Sequence, residues 1–316
     1  MLRLIQTTTI SFILLMCYPE FSLEEANYNA LTPPVVNTEI VCNTIQSSFQ
    51  DSIYPLESFY NPQLEAKLQD IVDQHGSWGQ LVEAKKMCIG VVDLNDMDKP
   101  RFASLNGDVM LYAASLPKIA VLLAAEVALE KGEIKPSKSL ENDMRLMISK
   151  SNNQATTRII DLLGYDKIEA AVTAERHKFY DPDKGGGLWV GKRYASGGPT
   201  NREPIKNLSH AATVDQVCRF YYLLINRQLV SADRSEHMLK MLEAPKINHK
   251  FVYALKQIDP DAKLYRKSGT WKNWHADSIL VWGNTRKYIL VALIQDPSGE
   301  KIIRNLGLQL DRAIIK

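Results

Sequence analysis

Three short stretches carry side chains whose types and spacing can do chemistry. The first is Ser115-Leu116-Pro117-Lys118, where a hydroxyl and an amine stand three residues apart as the apolar run "IAVLLAAEVAL" begins. Residues i and i+3 of a helix share a face. A serine hydroxyl is a weak nucleophile until a base takes its proton. Lysine becomes such a base when burial or nearby positive charge lowers its pKa. A helix start adds free N–H groups that favour developing negative charge, and Pro117 suits a first turn, where its missing N–H costs little. The spacing alone decides nothing, because Ser298-Gly299-Glu300-Lys301 repeats it and reads as a solvated turn.

The second stretch is Ser151-Asn152-Asn153, a hydroxyl and an amide at i and i+2 between two helical patterns. Such residues either cap a helix or project together into a cleft. The third is Lys267-Ser268-Gly269-Thr270. On a strand, Lys267 and Gly269 face one side and Ser268 and Thr270 the other. A strand glycine often marks the close approach of another backbone or a ligand. A lysine and hydroxyls beside a sheet edge suit a substrate carboxylate.

The elements that must position these groups are legible in outline. A helix is predicted over "PQLEAKLQDIVDQHG", closed by Gly76. Strands follow at "KMCIGVVDLN" and "RFASLNGD", joined by a turn at Asn95–Pro100. The Ser115 helix runs to about Gly132, and the pattern is helical from 140 to about 245, as in "ENDMRLMISKS", "NQATTRIIDLLG" and "TVDQVCRFYYLLINRQL". A Gly-, Lys- and Arg-rich loop, Lys184 to Pro204, interrupts it, with a short strand at "GLWVGKRY". Long loops within compact domains are usually functional or mobile. Three strands, "AKLYRKSG", "HADSILVWGN" and "KYILVALIQD", and a helix over "IIRNLGLQLDRAII" close the chain. Strands from both ends with helices between predict an α+β fold: an antiparallel sheet flanked by helices, with an all-helical subdomain inserted over about 119–245.

In this order the three motifs resemble those of the serine β-lactamase and penicillin-binding protein superfamily: Ser-x-x-Lys at a helix start, Ser-x-Asn in the helical part, Lys-Ser/Thr-Gly on a strand. The resemblance covers roughly residues 60 to 316, and class A β-lactamases are the nearest match. It implies a β-lactamase/transpeptidase-like fold and a serine hydrolase with no metal and no cofactor. Ser115 would be the acylated nucleophile and Lys118 its base. Ser151 would relay a proton to the leaving nitrogen. Asn153 would hold Lys118 and contact a substrate amide, and Lys267 would anchor Ser151. Ser268 and Thr270, with Gly269 between them, would bind the substrate carboxylate. The N–H groups of Ser115 and Thr270 would form the oxyanion hole. Glu203, followed four residues later by Asn207, matches the class A glutamate that activates water for deacylation. The short interval from Ser115 to Ser151 implies a trimmed helical part. The implied substrate is a β-lactam or a cell-wall peptide. D-alanyl-D-alanine carboxypeptidase activity, a related amidase or esterase activity, and a non-catalytic penicillin-binding sensor are the alternatives.

Composition agrees with a soluble-sized core and excludes some classes. The chain has 316 residues, 45% hydrophobic, with 38 basic and 36 acidic residues. No basic stripe interleaved with aromatics suggests nucleic acid. Residues 1–22 read as a secretory signal peptide: Arg3, then the apolar "ISFILLM", too short to span a bilayer. The protein is expected to be secreted or periplasmic; Leu15 and Met16 argue against lipid attachment at Cys17. Residues 23–60 form an arm of little periodicity, and 61–316 the hydrolase domain. Without Cys17, Cys42, Cys88 and Cys218 remain, with no zinc spacing; Cys88 and Cys218 read as buried free thiols. His275 is expected to be structural, His210 to start a helix, Trp271 and Trp274 to line a core or cleft. Trp189, Lys192 and Arg193 lie in the long loop, where they border the cleft or face solvent.

Overall fold

The computed structural model describes residues 55–194 and 197–314. The leader, Cys17, Cys42 and all but the end of the 23–60 arm lie outside the described residues. In chain order come α1 (Pro62–Asp73), α2 (Gly76–Glu83), β1 (Met87–Asp93), β2 (Arg101–Leu105), β3 (Leu111–Tyr112), α3 (Lys118–Glu130), α4 (Lys138–Ser149), α5 (Asn153–Leu163) and α6 (Tyr165–Thr173). Short strands β4 (Tyr180–Asp181), β5 (Gly186–Gly187), β6 (Trp189–Val190) and β7 (His210–Ala212) follow. Then come α7 (Val214–Ile225), α8 (Ala232–Leu242), α9 (Lys250–Leu255), β8 (Lys263–Trp271), β9 (Trp274–Trp282), β10 (Lys287–Gln295) and α10 (Gly299–Ile314).

The main sheet has the order β2-β1-β10-β9-β8, with every pair antiparallel. The first strands therefore pair with the last, as expected, and β8 forms one edge. Every residue of β1 is buried, because both faces of the sheet are covered. Successive side chains alternate between two cores. Cys88 and Val92 join the core under the helical block, while Ile89 and Val91 join the core under α1, α9 and α10. Cys88 and Cys218 are buried free thiols.

Two boundaries differ from the sequence reading. The first helix ends at Asp73, and Gly76 opens α2 instead of closing α1. Trp78 explains the extra helix: it is buried in the terminal-helix core and stacks on His75, with ring centroids 4.0 Å apart. The helix α3 begins at Lys118, so Ser115 to Pro117 form the turn that leads into it. Ile119 to Ala125 are all buried, as befits a helix apolar all round. The same helix buries Glu126, whose carboxylate is held by His237 Nδ1 at 2.5 Å and an Arg234 guanidinium nitrogen at 3.3 Å.

One buried ion pair fixes the edge strand. Arg266 Nε and Nη2 donate to the two oxygens of Asp277 at 2.6 and 3.0 Å, and both side chains are almost fully buried. The N–H groups of Phe251 and Ser278 donate to the same carboxylate, each at 3.1 Å. The pair thus ties β8, β9 and the start of α9 together, one residue before Lys267. Asp277→Ala leaves a buried guanidinium uncompensated and is expected to destabilise the protein by about 3–5 kcal/mol. Urea unfolding measures this; a loss under about 1 kcal/mol overturns the assignment.

Candidate active site

The turn before α3 is strained at Ala114, a non-glycine residue at φ +50°. It leaves Ser115 partly exposed at the mouth of a cleft while Lys118, one turn on, is fully buried. Lys118 Nζ donates to the Ser151 carbonyl and to Asn153 Oδ1, both at 2.8 Å, and stands 3.4 Å from Ser151 Oγ. It lies 4.5 Å from the centre of the Tyr194 ring. Burial lowers its pKa to about 7. Near neutral pH the neutral amine is therefore populated. A neutral amine has two N–H groups and one lone pair; the two strong acceptors engage the N–H groups and leave the lone pair free to take a proton.

The loop between α4 and α5 explains how Ser151 and Asn153 escape capping. Asn152 is the cap: its side chain accepts from the Ala155 N–H at 2.8 Å. Ser151, at φ +54°, turns the chain sharply, so its neighbours on either side of the cap face Lys118. Sequence alone offered capping or projection for this stretch, and both occur, on different residues.

The edge strand β8 supplies the third wall, with the alternation expected of it. Lys267 Nζ donates to Ser151 Oγ at 2.9 Å and to the Ser268 carbonyl at 2.6 Å. Burial first, and then the charge of Lys118, hold its pKa well below the usual lysine value. On the same face, a Cβ on Gly269 would lie 2.3 Å from the Ala113 carbonyl oxygen and 2.6 Å from the Ser115 nitrogen. Only glycine lets the strand run against the Ser115 turn. Ser268 and Thr270 face the other way, towards His249 and Lys250 at α9.

These elements frame a cleft of about 510 Å³ lined in part by Ser115, Asn153, Lys192, Arg193, His210 and Thr270, with Tyr112, Trp271 and Trp274 among its aromatic walls. No acidic residue is among the described residues lining it. Lys192 and Arg193 thus border the cleft, whereas Trp189 is buried and donates its indole N–H to the Asn201 carbonyl at 2.6 Å. His210 lies on β7 rather than at a helix start; Thr213 caps α7. Its ring nitrogens lie 3.0 Å from Ser209 Oγ and 3.0 Å from the Lys192 carbonyl, and burial lowers its pKa to about 4, so it is neutral. His275 is buried against the first turn of α10, where a Cβ on Gly299 would touch its ring.

Glu203 stands apart from the expected arrangement. Its carboxylate is 1% exposed and faces inward on its own loop. The N–H groups of Lys206 and Leu208 donate to Oε1 at 2.7 and 2.9 Å; the Ile205 N–H and the Tyr180 hydroxyl donate to Oε2 at 2.8 and 3.0 Å. Asn207 meets Glu203 through the backbone, its N–H donating to the Glu203 carbonyl at 3.1 Å. Glu203 is not among the residues lining the cleft. The Glu-Pro-x-x-Asn spacing is thus present, but three backbone donors curl the loop around the acid. Sequence reasoning also missed Tyr194, which donates to the Ala114 carbonyl at 3.1 Å, and Lys250, which carries no motif or periodicity of its own.

Among the described residues, Ser115, Lys118, Ser151, Asn153, Lys267 and Gly269 converge from three separate segments. A model described as the beta-lactamase enzyme family matches residues 139–314, more than half of the chain. The chain belongs to this family. The matched stretch contains Ser151, Asn153 and the Lys267 strand; Ser115 and Lys118 precede it. The protein is accordingly a serine hydrolase of the β-lactamase fold. Similar solved structures include a beta-lactamase from Sphaerobacter thermophilus DSM 20745, 18% identical over 74% of this chain and 93% of that one, with a TM-score of 0.59. They also include PBP-A, 16% identical over 80% of this chain and 96% of that one, at 0.59. An ancestral class A beta-lactamase, 16% identical over 79% and 99%, gives 0.56. At such identities the likeness establishes the fold. No curated protein matches the chain in sequence.

The loop placement of Glu203 predicts a structural cost on its removal. Glu203→Gln puts an amide NH2 where donors now converge, and is expected to destabilise the protein by about 1–3 kcal/mol. Calorimetric melting checks it; an unchanged Tm means the carboxylate is not held in the loop.

Proposed function

We propose that Ser115 opens β-lactam amides and is acylated by them, and that the acyl-enzyme is released slowly. The observation that carries this reading is Lys118, an amine buried one helical turn after Ser115, bonded to two acceptors and with its pKa lowered to about 7. In its neutral form it accepts the Ser115 proton as Oγ attacks the lactam carbonyl. The N–H groups of Ser115 and Thr270 receive the oxyanion, an arrangement worth about 3–4 kcal/mol per donor lost. Ser151 accepts a hydrogen bond from Lys267, so its own proton is free to pass to the departing nitrogen as the C–N bond breaks. Asn153 holds Lys118 and faces the cleft for a substrate amide. The Thr270 hydroxyl and the cations lining the cleft suit an anionic group on the substrate.

Slow release follows from Glu203. With its carboxylate inside the loop, no acid among the described residues lining the cleft stands ready to activate water against the ester. The same observation favours a second reading, a D-alanyl-D-alanine peptidase whose natural acyl group comes from a cell-wall peptide. The apolar leader supports export, so such a substrate would be met outside the cytoplasm. Among the described residues no helix is long and apolar enough to cross a membrane. PBP-A supports the reading by analogy: a variant of it was solved as an acyl-enzyme complex with penicillin G.

A fluorescent penicillin tests the proposal. The adduct is expected on Ser115 by mass spectrometry, is lost in Ser115→Ala, and outlasts many minutes of incubation. Labelling is expected to rise with pH through about 7 as Lys118 loses its proton, then level off. No adduct and no lactam consumption by the wild type rejects the proposal; rapid multiple turnover rejects slow release; D-alanine release from a peptide selects the second reading.

A further inference from the structure

The substrate strand rests on a second buried lysine. Lys250 opens α9 at φ +53°, is fully buried, and has no carboxylate partner among the described residues. Its Nζ donates to the Gly269 carbonyl at 2.7 Å, to Thr270 Oγ1 at 2.8 Å and to the Ala276 carbonyl at 3.1 Å. Three neutral acceptors are an unusual return for a desolvated ammonium, whose burial costs several kcal/mol. Their geometry indicates what it does. An ammonium has only donors, so Thr270 Oγ1 must accept from it, and the hydroxyl's own proton must point elsewhere. Thr270 is exposed and lines the cleft beside Ser115.

Ser268, two residues back, is bound in the opposite sense. It is buried, and its Oγ lies 3.3 Å from His249 Nε2, while His249 Nδ1 lies 3.3 Å from Glu300 Oε2. A carboxylate only accepts, so Nδ1 carries the proton and Nε2 of the neutral ring accepts from Ser268. Burial, Arg266 and Lys250 all lower the His249 pKa, which keeps the ring neutral. The Ser268 proton is thus directed inward.

We infer that Lys250 is a positioning residue that turns the Thr270 hydroxyl into an outward donor, making Thr270 rather than Ser268 the anchor for the substrate's carboxylate. This rests on the acylation reading for the identity of the site, but binding alone tests it. A pH signature follows. Lys250 is held at a pKa of about 8, by burial first, with Asp277 and Glu300 raising it and Arg266 lowering it; His249 and His275 face the same cluster. Once neutral, it has two N–H groups for two carbonyls and a lone pair for Thr270, which reverses the hydroxyl and withdraws the donor.

Calorimetry on Ser115→Ala with N-acetyl-D-alanyl-D-alanine and with its C-terminal amide tests this without any chemistry at Ser115. The acid is expected to bind about tenfold more tightly than the amide at pH 7, with the preference falling above about pH 8. Adding Lys250→Met or Thr270→Val is expected to remove most of the preference and the pH limb, and Lys250→Arg to restore part of it. Ser268→Ala is expected to lower the preference less than Thr270→Val does. Two variants guard against misfolding of one, and thermal melts confirm that each is folded. Equal binding of acid and amide, an unchanged preference in both Lys250→Met and Thr270→Val, or a larger effect of Ser268→Ala overturns the inference. Failure of penicillin labelling in the wild type would reject the acylation reading and leave this result standing.

Discussion

The site depends on keeping one amine dry while satisfying it. Lys118 is useful as a base only if water is excluded, because the hydrated group holds its proton far above neutrality. Exclusion requires a helix apolar on all sides, which α3 provides from Ile119 to Ala125. Yet a buried amine without acceptors would be too costly to keep. The Ser151 carbonyl and Asn153 supply those acceptors, neutral ones, so they hold the group without an adjacent anion to restore its proton affinity. A carboxylate in their place would pair with Lys118 and raise its pKa. The two acceptors come from the α4–α5 loop, so the helical block is needed for electrostatics as much as for packing.

Strain gathers where the segments meet. Ala114, Ser151 and Lys250 each hold a left-handed backbone, which costs a non-glycine residue about 1–2 kcal/mol. Ala114 precedes Ser115, Ser151 meets Lys118 and Lys267, and Lys250 meets the Gly269–Thr270 edge of β8. Gly269 serves a related purpose by omission: without a Cβ, β8 can touch the Ser115 turn. The continuous core under the helical block and the buried Arg266–Asp277 pair hold these conformations in place, which is how local strain persists at functional sites.

Much of this arrangement was legible in the sequence because it rests on period and order. The continuous apolar runs in "KYILVALIQD" and "HADSILVWGN", with the turn at Gly283–Thr285 between them, indicated the paired strands, and β8 displays Lys267 and Gly269 on one face as strand geometry requires. The three motifs gave the residues that converge. What stayed hidden is direction. Glu203-Pro204-x-x-Asn207 has the spacing of a water-activating glutamate, but spacing does not say whether a carboxylate faces a cleft or its own loop; three backbone N–H groups and Tyr180 decide that. Lys250 was invisible for a similar reason. In "INHKFVYAL" it reads as a solvated lysine, and only the approach of β8 and β9 buries it. Gly76 misled because a glycine can open a short helix as well as close one.

The distribution of charge gives the cleft its selectivity. Lys192 and Arg193 line the opening and Lys118 lies buried beneath it; Asp161 pairs with Arg193, while Glu203 is engaged by its loop, Asp277 by Arg266, and Glu300 by His249 and Arg304. A cleft bounded by low-dielectric walls and cations of one sign concentrates anions. The same cations would stabilise a carboxylate placed there and so lower its basicity towards water. In the proposed reading, attraction for an anionic substrate and weak activation of water are two outcomes of one field. Acylation with slow release, the proposed reading, fits a cleft of this kind.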